Sequence, residues 1–156
     1  MDDARRDDGP KIRRAFRELG AETRYNRFLG YKAEVSEAEL ARIANVDHVH
    51  DCAFLVTVGD ADSEFVIGGA SFFALDDATP PESAEVAFTI EEDFQGQGLA
   101  SELMRRLIQS GRTVGVRRFE AEVLATNQGM LSVFRRSGLA VSMRQEEGVV
   151  HVALEL

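Results

Sequence analysis

The stretch that most constrains this chain is residues 85–111, EVAFTIEEDFQGQGLASELMRRLIQSG. Its first six residues alternate strictly, with Val86, Phe88 and Ile90 on one side, and this alternation predicts a β-strand. After a pair of glycines, apolar residues recur at the spacing of one helix face: Leu99, Leu103, Met104, Leu107 and Ile108. The segment is therefore predicted to form a strand, a glycine-rich turn and a helix in direct succession.

The glycine-rich turn, QGQGLA at 95–100, suits a bound anion. Gly96 and Gly98 carry no Cβ, so the backbone there can approach a ligand closely. The N-terminus of the following helix leaves unpaired N–H groups and a partial positive charge, so a pyrophosphate is expected on the amides of residues 97–101. The turn alone is weak evidence, because a purely structural turn has the same composition and neither the phosphate loop nor the dinucleotide fingerprint is matched.

Composition limits the class of protein. A chain of 156 residues with 44% hydrophobic and 29% charged residues is typical of one soluble globular domain. The net charge of −9 argues against a nucleic-acid partner, which would favour a basic face. The apolar runs are too short to span a membrane, and the charged start MDDARRDDGPK is not typical of a secretory signal. Cys52 is the single cysteine, which excludes an internal disulfide and indicates a reducing cytoplasm.

The rest of the chain alternates between helical and extended patterns. Helices are predicted at 10–19, 36–45 and 127–137, and strands at 53–58, 64–75, 116–124, 139–144 and 149–156. Gly68 and Gly69 within one strand predict a bulge or a close approach of another backbone.

Two motifs, in the right order and at the right separation, resemble those of the GNAT acetyltransferases. Gln95-x-x-Gly98-x-Ala100, after a strand and opening a helix, resembles the acetyl-CoA motif Gln/Arg-x-x-Gly-x-Gly/Ala of that family. The positions where the family has Asn, a small or apolar residue, Tyr, Gly and Phe are occupied here by Asn127, Met130, Phe134, Gly138 and Leu139. Residues 21–31, AETRYNRFLGY, resemble S-P-E-T-R-Y-x-R-F of the Pat-type protein lysine acetyltransferases.

The resemblance implies the α/β GNAT fold, a mixed and mostly antiparallel sheet flanked by helices. It implies a single acetyltransferase domain over residues 1–156, with 1–9 flexible. The family usually begins with a strand before its first helix, but few apolar residues precede position 10 here. We therefore expect the first strand to be missing or shortened, or the start of the gene to be placed late.

The resemblance also implies acetyl-CoA as a co-substrate, without a metal. A backbone N–H near Ile90 is expected to hold the reaction's oxyanion, and Asn127 is expected to bind the pantetheine or a water, although Asn is also a favoured helix N-cap. Splaying of the strand at 85–90 from the following strand would leave room for the pantetheine. The residues expected at the donor are Thr89, Ile90, Gln95, Gly96, Gln97, Gly98, Leu99, Ala100, Ser101, Asn127 and Phe134.

Acetylation of an amine requires a base, because the ammonium must lose a proton before its nitrogen can attack. Glu85 is the first candidate, since Pat-type enzymes have a glutamate at the corresponding place as general base. Glu120, which shares a strand face with Glu122, is the second, and either residue of that pair is suited to hold a water or the substrate ammonium. Phe134 stands where many GNAT enzymes have a Tyr as general acid, so here the thiolate leaves unassisted or finds another donor.

A metal centre is the weaker interpretation of the run His-x-His-Asp-Cys at 48–52. No second cluster supplies the remaining ligands, so a loop entering a strand is favoured. Cys52 is equally weak as a nucleophile, because nothing nearby in sequence orients a base for it.

The sequence thus predicts a cytoplasmic, acetyl-CoA-dependent N-acetyltransferase with neither a nucleic-acid nor a membrane partner. Lysine ε-amino groups of proteins such as acyl-CoA synthetases are the acceptors that the resemblance implies. Two alternatives stay open: an acetyltransferase for small amines or protein N-termini, and a non-catalytic module that senses acetyl-CoA. The oligomeric state is left open as well.

Overall fold

The structure, a computed structural model, describes residues 2–3, 41–42, 46–47, 49–59, 65–90 and 95–156. The helix predicted at 10–19, the segment at 21–31 and the acidic residues at 91–93 lie outside this part of the chain. Of the helix predicted at 36–45, the structure describes only Ala41 and Arg42, which are helical.

One sheet of seven strands forms the centre of the described structure, in the order β1-β2-β3-β4-β5-β7-β6. Neighbouring strands are antiparallel except for β4 and β5, which run parallel. The predicted mixed and mostly antiparallel sheet is therefore confirmed. The strands are β1 (Asp2–Asp3), β2 (Asp51–Val58), β3 (Phe65–Ala74), β4 (Ser83–Ile90), β5 (Arg118–Leu124), β6 (Ala140–Glu146) and β7 (Val149–Glu155).

The first strand is present but very short. Asp2 pairs with Leu55 and Asp3 with Phe54, both on β2. A strand of two residues is thus described at the place where the first strand is expected to be missing or shortened.

The two glycines in β3 allow its neighbours to come close, as the sequence predicts. A Cβ on Gly68 would lie 2.7 Å from the carbonyl oxygen of Thr89 on β4, and a Cβ on Gly69 would lie 2.7 Å from that of Phe54 on β2. A register shift between Val56 and Thr57 also places a bulge directly before this pair. Both predicted features, the bulge and the close approach, thus occur together.

Two helices are described after the fourth strand: α1 (Leu99–Val114) and α2 (Gln128–Arg135). The apolar face predicted for α1 is the one that it buries, and the helix ends at Gly115 in a left-handed conformation with φ 98°. A Cβ on Gly111 would lie 2.8 Å from the ring of Phe119, so α1 packs closely on β5. Neither helix has the length and apolar character needed to cross a membrane.

The core lies between the helices and one face of the sheet. Phe119, Ala121 and Val123 of β5 are buried in it, and the rings of Phe72 and Phe119 pack with centroids 5.4 Å apart. Because side chains alternate along a strand, the intervening glutamates face the other side of the sheet. Glu85, which precedes the buried Val86 on β4, is exposed.

Candidate active site

The cleft begins where two parallel strands part. β4 and β5 pair only through Ser83–Arg118, Ala84–Phe119 and Glu85–Glu120. Beyond these pairs β4 runs on to Ile90 and β5 to Leu124 without pairing with each other. The predicted splay is therefore present, and it opens a cleft of about 1010 Å³ between β4, β5, the first turn of α1 and one side of α2.

The turn at the far end of β4 requires glycine for its backbone conformation. Gly96 and Gly98 have φ of 77° and 82°, in the left-handed region where a side chain is strained. A Cβ on either glycine would meet no heavy atom of the described residues within 4 Å, so packing against that part of the protein does not impose the glycines.

The N-terminus of α1 presents unpaired backbone donors to the cleft. Gly98 is its N-cap residue and provides no side-chain cap, and the first helical bond runs from the N–H of Glu102 to the carbonyl oxygen of Gly98 (3.1 Å). The N–H groups of residues 99–101 therefore have no intrahelical acceptor, and these three residues line the cleft. Such a helix end attracts anions.

Two arginines balance the acidic residue in the first turn of α1. Arg105 donates to the two carboxylate oxygens of Glu102 at 2.9 and 2.7 Å, and Arg106 donates at 3.4 Å. The hydrogen bonds from Arg105, followed by those from Arg106, lower the pKa of Glu102 to about 2, although desolvation acts in the opposite direction. The helix N-terminus thus keeps its attraction for an anion despite a nearby carboxylate.

Gln95 connects the turn to the end of β4. Its side-chain Nε2 donates to the carbonyl oxygen of Ile90 at 2.9 Å, and both residues line the cleft. This contact ties the turn to the end of β4, so part of the Gln95 side chain is used within the protein.

The inner wall of the cleft is aromatic. Phe134 on α2 is 1% exposed, and its ring meets that of Phe88 edge-on, with centroids 6.0 Å apart. Phe134 lines the cleft and, unlike a tyrosine, has no proton to donate. The side-chain hydroxyls among the cleft residues belong to Thr89, Ser101 and Thr126.

Asn127 is the N-cap of α2, which is one of the two roles expected for it. Its Oδ1 accepts the backbone N–H of Met130 at 3.2 Å, and the residue lines the cleft. The cap uses the carbonyl oxygen of the amide and leaves its NH₂ group available for a second partner.

Two carboxylates line the cleft near the point where the strands part. One is Glu85, and the other is Glu122, which lies two residues beyond Glu120 on the same face of β5. Glu120 pairs with Glu85 through the backbone but does not line the cleft. Nδ1 of His151 on β7 lies 3.4 Å from Oε1 of Glu122.

The sequence matches the acetyltransferase (GNAT) domain family over residues 5–140. The chain belongs to the GNAT acetyltransferases. The members of this family are N-acetyltransferases, and acetyl-CoA is their acetyl donor.

Individual GNAT proteins support this assignment. The chain is 37% identical over 144 residues to acetyltransferase Pat from Mycolicibacterium smegmatis, covering 89% of this chain but only 40% of that protein. It superposes on the GNAT domain of S. lividans PAT with a TM-score of 0.87 at 29% identity, covering 99% of this chain and 88% of that one. The fold also matches yncA, a putative acetyltransferase from Salmonella typhimurium solved with its cofactor acetyl-CoA (TM-score 0.71, 16% identity, 99% and 90% of the chains).

Most residues predicted for the GNAT donor site come together in the cleft. Gln97 is the one predicted donor residue that does not line it, and Glu120 is the one predicted catalytic residue that does not. The roles of all these residues stay predictions. Lining residues that sequence reasoning did not single out are Thr126, Gln128, Gly129, Val133 and Arg136. These residues belong to α2 or flank it, which the predicted helix after Asn127 indicates, but their place in the cleft depends on how the strands part.

The histidine-rich run before β2 has a different setting. His50 Nδ1 lies 2.9 Å from Asp47 Oδ2, and its Nε2 lies 3.0 Å from the hydroxyl of Thr79. The hydrogen bond with Asp47 raises the pKa of His50. Cys52 is buried in β2, and His48 lies outside the described residues. Within the described part of the chain, no group of three His, Cys, Asp or Glu residues could hold a metal ion.

Proposed function

We propose that this chain transfers an acetyl group from acetyl-CoA to the ε-amino group of a protein lysine, with Glu85 as general base. The parting of β4 and β5 directly after the Glu85–Glu120 pair carries the proposal. It places an exposed carboxylate at one end of the cleft and the uncapped N-terminus of α1 at the other. The strand between Glu85 and Ile90 separates the two ends by roughly 16 Å, so acid–base chemistry and anion binding occupy different places.

The cleft fits a long, anionic acetyl donor. The unpaired N–H groups of residues 99–101 are suited to a pyrophosphate, and the NH₂ group of Asn127 is suited to an amide oxygen of the pantetheine. The volume of about 1010 Å³ lies at the upper end of the range of roughly 300–1,000 Å³ for small-molecule pockets, as an extended ligand requires.

Glu85 has a defined chemical task in this scheme. A lysine has a pKa near 10.4, so at neutral pH its ammonium must lose a proton before the nitrogen can attack. Acetyl-CoA supplies a thioester: the N–C bond forms, the C–S bond breaks, and an N-acetyl-lysine and a free thiol result. One proton passes through Glu85 to solvent, and the second nitrogen proton ends on the sulfur. The backbone N–H of Ile90 is proposed to stabilise the oxyanion.

A cationic protein acceptor suits the charge of the site. Glu85 and Glu122 both line the cleft, and the whole chain carries a net charge of −9. A lysine of a protein such as an acyl-CoA synthetase is the acceptor that the resemblance to the Pat-type enzymes implies, and the chain is 37% identical to acetyltransferase Pat. The single cysteine is buried, which agrees with action in the reducing cytoplasm.

The test compares Glu85→Gln with Glu120→Gln, a matched change on the paired strand outside the cleft. Acetyl-CoA binding is measured by calorimetry, and release of free CoA is measured with a lysine peptide, a protein pool and small amines as acceptors. We expect Glu85→Gln to lower kcat at least about 100-fold with unchanged acetyl-CoA affinity, and Glu120→Gln to stay near wild type.

Each other outcome contradicts a different part of the proposal. Turnover confined to small amines would exclude the protein acceptor. Acetyl-CoA binding without turnover of any amine would point to a sensor. A folded protein without affinity for acetyl-CoA would refute the donor site itself.

A further inference from the structure

We propose that Glu122 binds the ammonium group of the acceptor lysine and that His151 is the positioning residue that restrains the side chain of Glu122 from the neighbouring strand. This assignment rests on the proposed lysine acetylation and adds a second carboxylate with a task separate from that of Glu85.

The register of β5 distinguishes Glu122 from Glu120. Glu120 belongs to the last residue pair between β4 and β5, so its surroundings are those of a closed sheet. Glu122 is the next residue on the same face, roughly 6.6 Å further along the strand. It is therefore the first carboxylate of β5 beyond the parting, and it lines the cleft together with Glu85.

On β7, the strand paired with β5, a polar side chain lies opposite Glu122 but not opposite Glu120. Opposite Glu122 on β7 stands His151, whereas the residue opposite Glu120 is Ala153, which has no polar side chain. His151 Nδ1 lies 3.4 Å from Glu122 Oε1, with 35% and 54% of the two side chains exposed. β7 pairs with β5 along the whole strand, so His151 stands on a well-supported backbone.

The far side of His151 is occupied as well. On β6, the residue paired with His151 is Arg144. The side chain of Arg144 lies 3.8 Å from that of Glu146 on the same strand. The row Glu122, His151, Arg144 thus leads from the cleft to the edge of the sheet on one face. Among the described residues, Glu122 is the carboxylate that the His151 ring contacts.

This arrangement prepares Glu122 for a cation before any acceptor arrives. A glutamate at the open side of a strand has several accessible rotamers, and ordering it on binding would lower affinity. Contact with His151 restricts that freedom in advance. The ammonium held by Glu122 then lies near Glu85, which takes its proton.

Substitutions at His151 separate positioning from general stability. In asparagine, Nδ2 falls close to the place of the histidine Nδ1, whereas the amide of glutamine corresponds to Nε2. His151→Ala and His151→Gln are expected to raise KM for a peptide with one lysine about fivefold, and His151→Asn should stay within about twofold of wild type. kcat and acetyl-CoA affinity should change less than about twofold in all three variants.

Glu122→Gln supplies the direct test, with Glu120→Gln as the matched control. We expect an increase in KM for the lysine peptide of about tenfold, as for loss of a charged hydrogen bond, and little change in the control. A peptide with ε-trimethyllysine keeps the charge but cannot be acetylated, so its inhibition constant reports binding alone. That constant should also rise in Glu122→Gln, but by less than KM, because a trimethylammonium keeps the attraction between charges and has no N–H to donate.

The failures are distinguishable. A wild-type protein that neither binds acetyl-CoA nor acetylates the peptide would overturn the proposed function and this assignment with it. An active wild type with equal KM and inhibition constants in Glu122→Gln and Glu120→Gln would overturn the role of Glu122 alone. Equal behaviour of the asparagine and glutamine variants would overturn the positioning role of His151.

Discussion

Replacing Gly68 with alanine is expected to distort the wall of the cleft from a position outside it. The new Cβ would lie 2.7 Å from the carbonyl oxygen of Thr89 and 3.2 Å from Cα of Ile90. A relaxed carbon–oxygen contact is about 3.3 Å, so the atoms must separate by roughly 0.6 Å. Both opposing atoms belong to the backbone of β4, and no side-chain rotation can relieve the contact.

Gly69→Ala is the matched control, because it creates an equally short contact on a different strand. Its Cβ would also lie 2.7 Å from a backbone carbonyl oxygen, but that of Phe54 on β2, on the opposite side of β3. Overpacking of this kind costs about 1–3 kcal/mol, so both variants should lose similar stability. For a domain of this size, a loss of about 2 kcal/mol corresponds to a fall in Tm of roughly 4–8 °C.

Only Gly68→Ala should also weaken acetyl-CoA binding, because Thr89 and Ile90 line the cleft and Phe54 does not. Urea denaturation gives the free energy of unfolding, and calorimetry gives the Kd of acetyl-CoA. We expect Kd to rise about tenfold in Gly68→Ala, equivalent to about 1.4 kcal/mol, and to change little in Gly69→Ala. Wild-type stability of Gly68→Ala would refute the steric argument. Equal Kd values in two equally destabilised variants would refute the link between strand position and the cleft.

Two further predictions concern Asn127 and His50. Asn127→Ala should lose about 1 kcal/mol in thermal unfolding because the cap to Met130 disappears, whereas Asn127→Asp should keep the cap. Asn127→Asp should also bind acetyl-CoA more weakly, because it loses the NH₂ group and adds a negative charge, and wild-type affinity would contradict the role of Asn127 in binding. Asp47 raises the pKa of His50 in the folded state, so protonation of His50 stabilises the fold. This stabilisation is complete below the pKa of His50 in the unfolded chain, about 6.5, and it is lost as the pH rises through the higher pKa of the folded state. The urea midpoint of wild type should therefore exceed that of His50→Gln more at about pH 5.5 than at about pH 9, and a pH-independent difference would contradict the argument.

The alternation of residue types predicted much of this architecture. It placed Glu85 at the start of β4 and put Glu120 and Glu122 on one face of β5, as the burial of their neighbours confirms. It could not tell which glutamate of β5 reaches the cleft. That depends on where two strands from different parts of the chain stop pairing, and no local period records this point.

The glycine-rich turn after β4 was likewise predicted only in part. Its position and its two glycines followed from the sequence, but the left-handed conformation of Gly96 and Gly98 is the reason that the structure gives for them. The side chain of Gln95 returns to the carbonyl oxygen of Ile90, and a motif of residue types does not specify that direction. The Glu122–His151 contact joins two strands distant in sequence, so only the sheet register shows it.

The parting of β4 and β5 also gives the sheet two inner edges in addition to its outer ones. Exposed outer edges invite pairing with a second polypeptide, which is a common route to aggregation. The inner edges face each other across a cleft that Phe134 closes on one side. A slender ligand can enter this cleft, whereas a further strand, which carries side chains on both faces, is too wide. The same interruption that opens a binding site in the middle of the sheet thus keeps its unpaired strands from recruiting another chain.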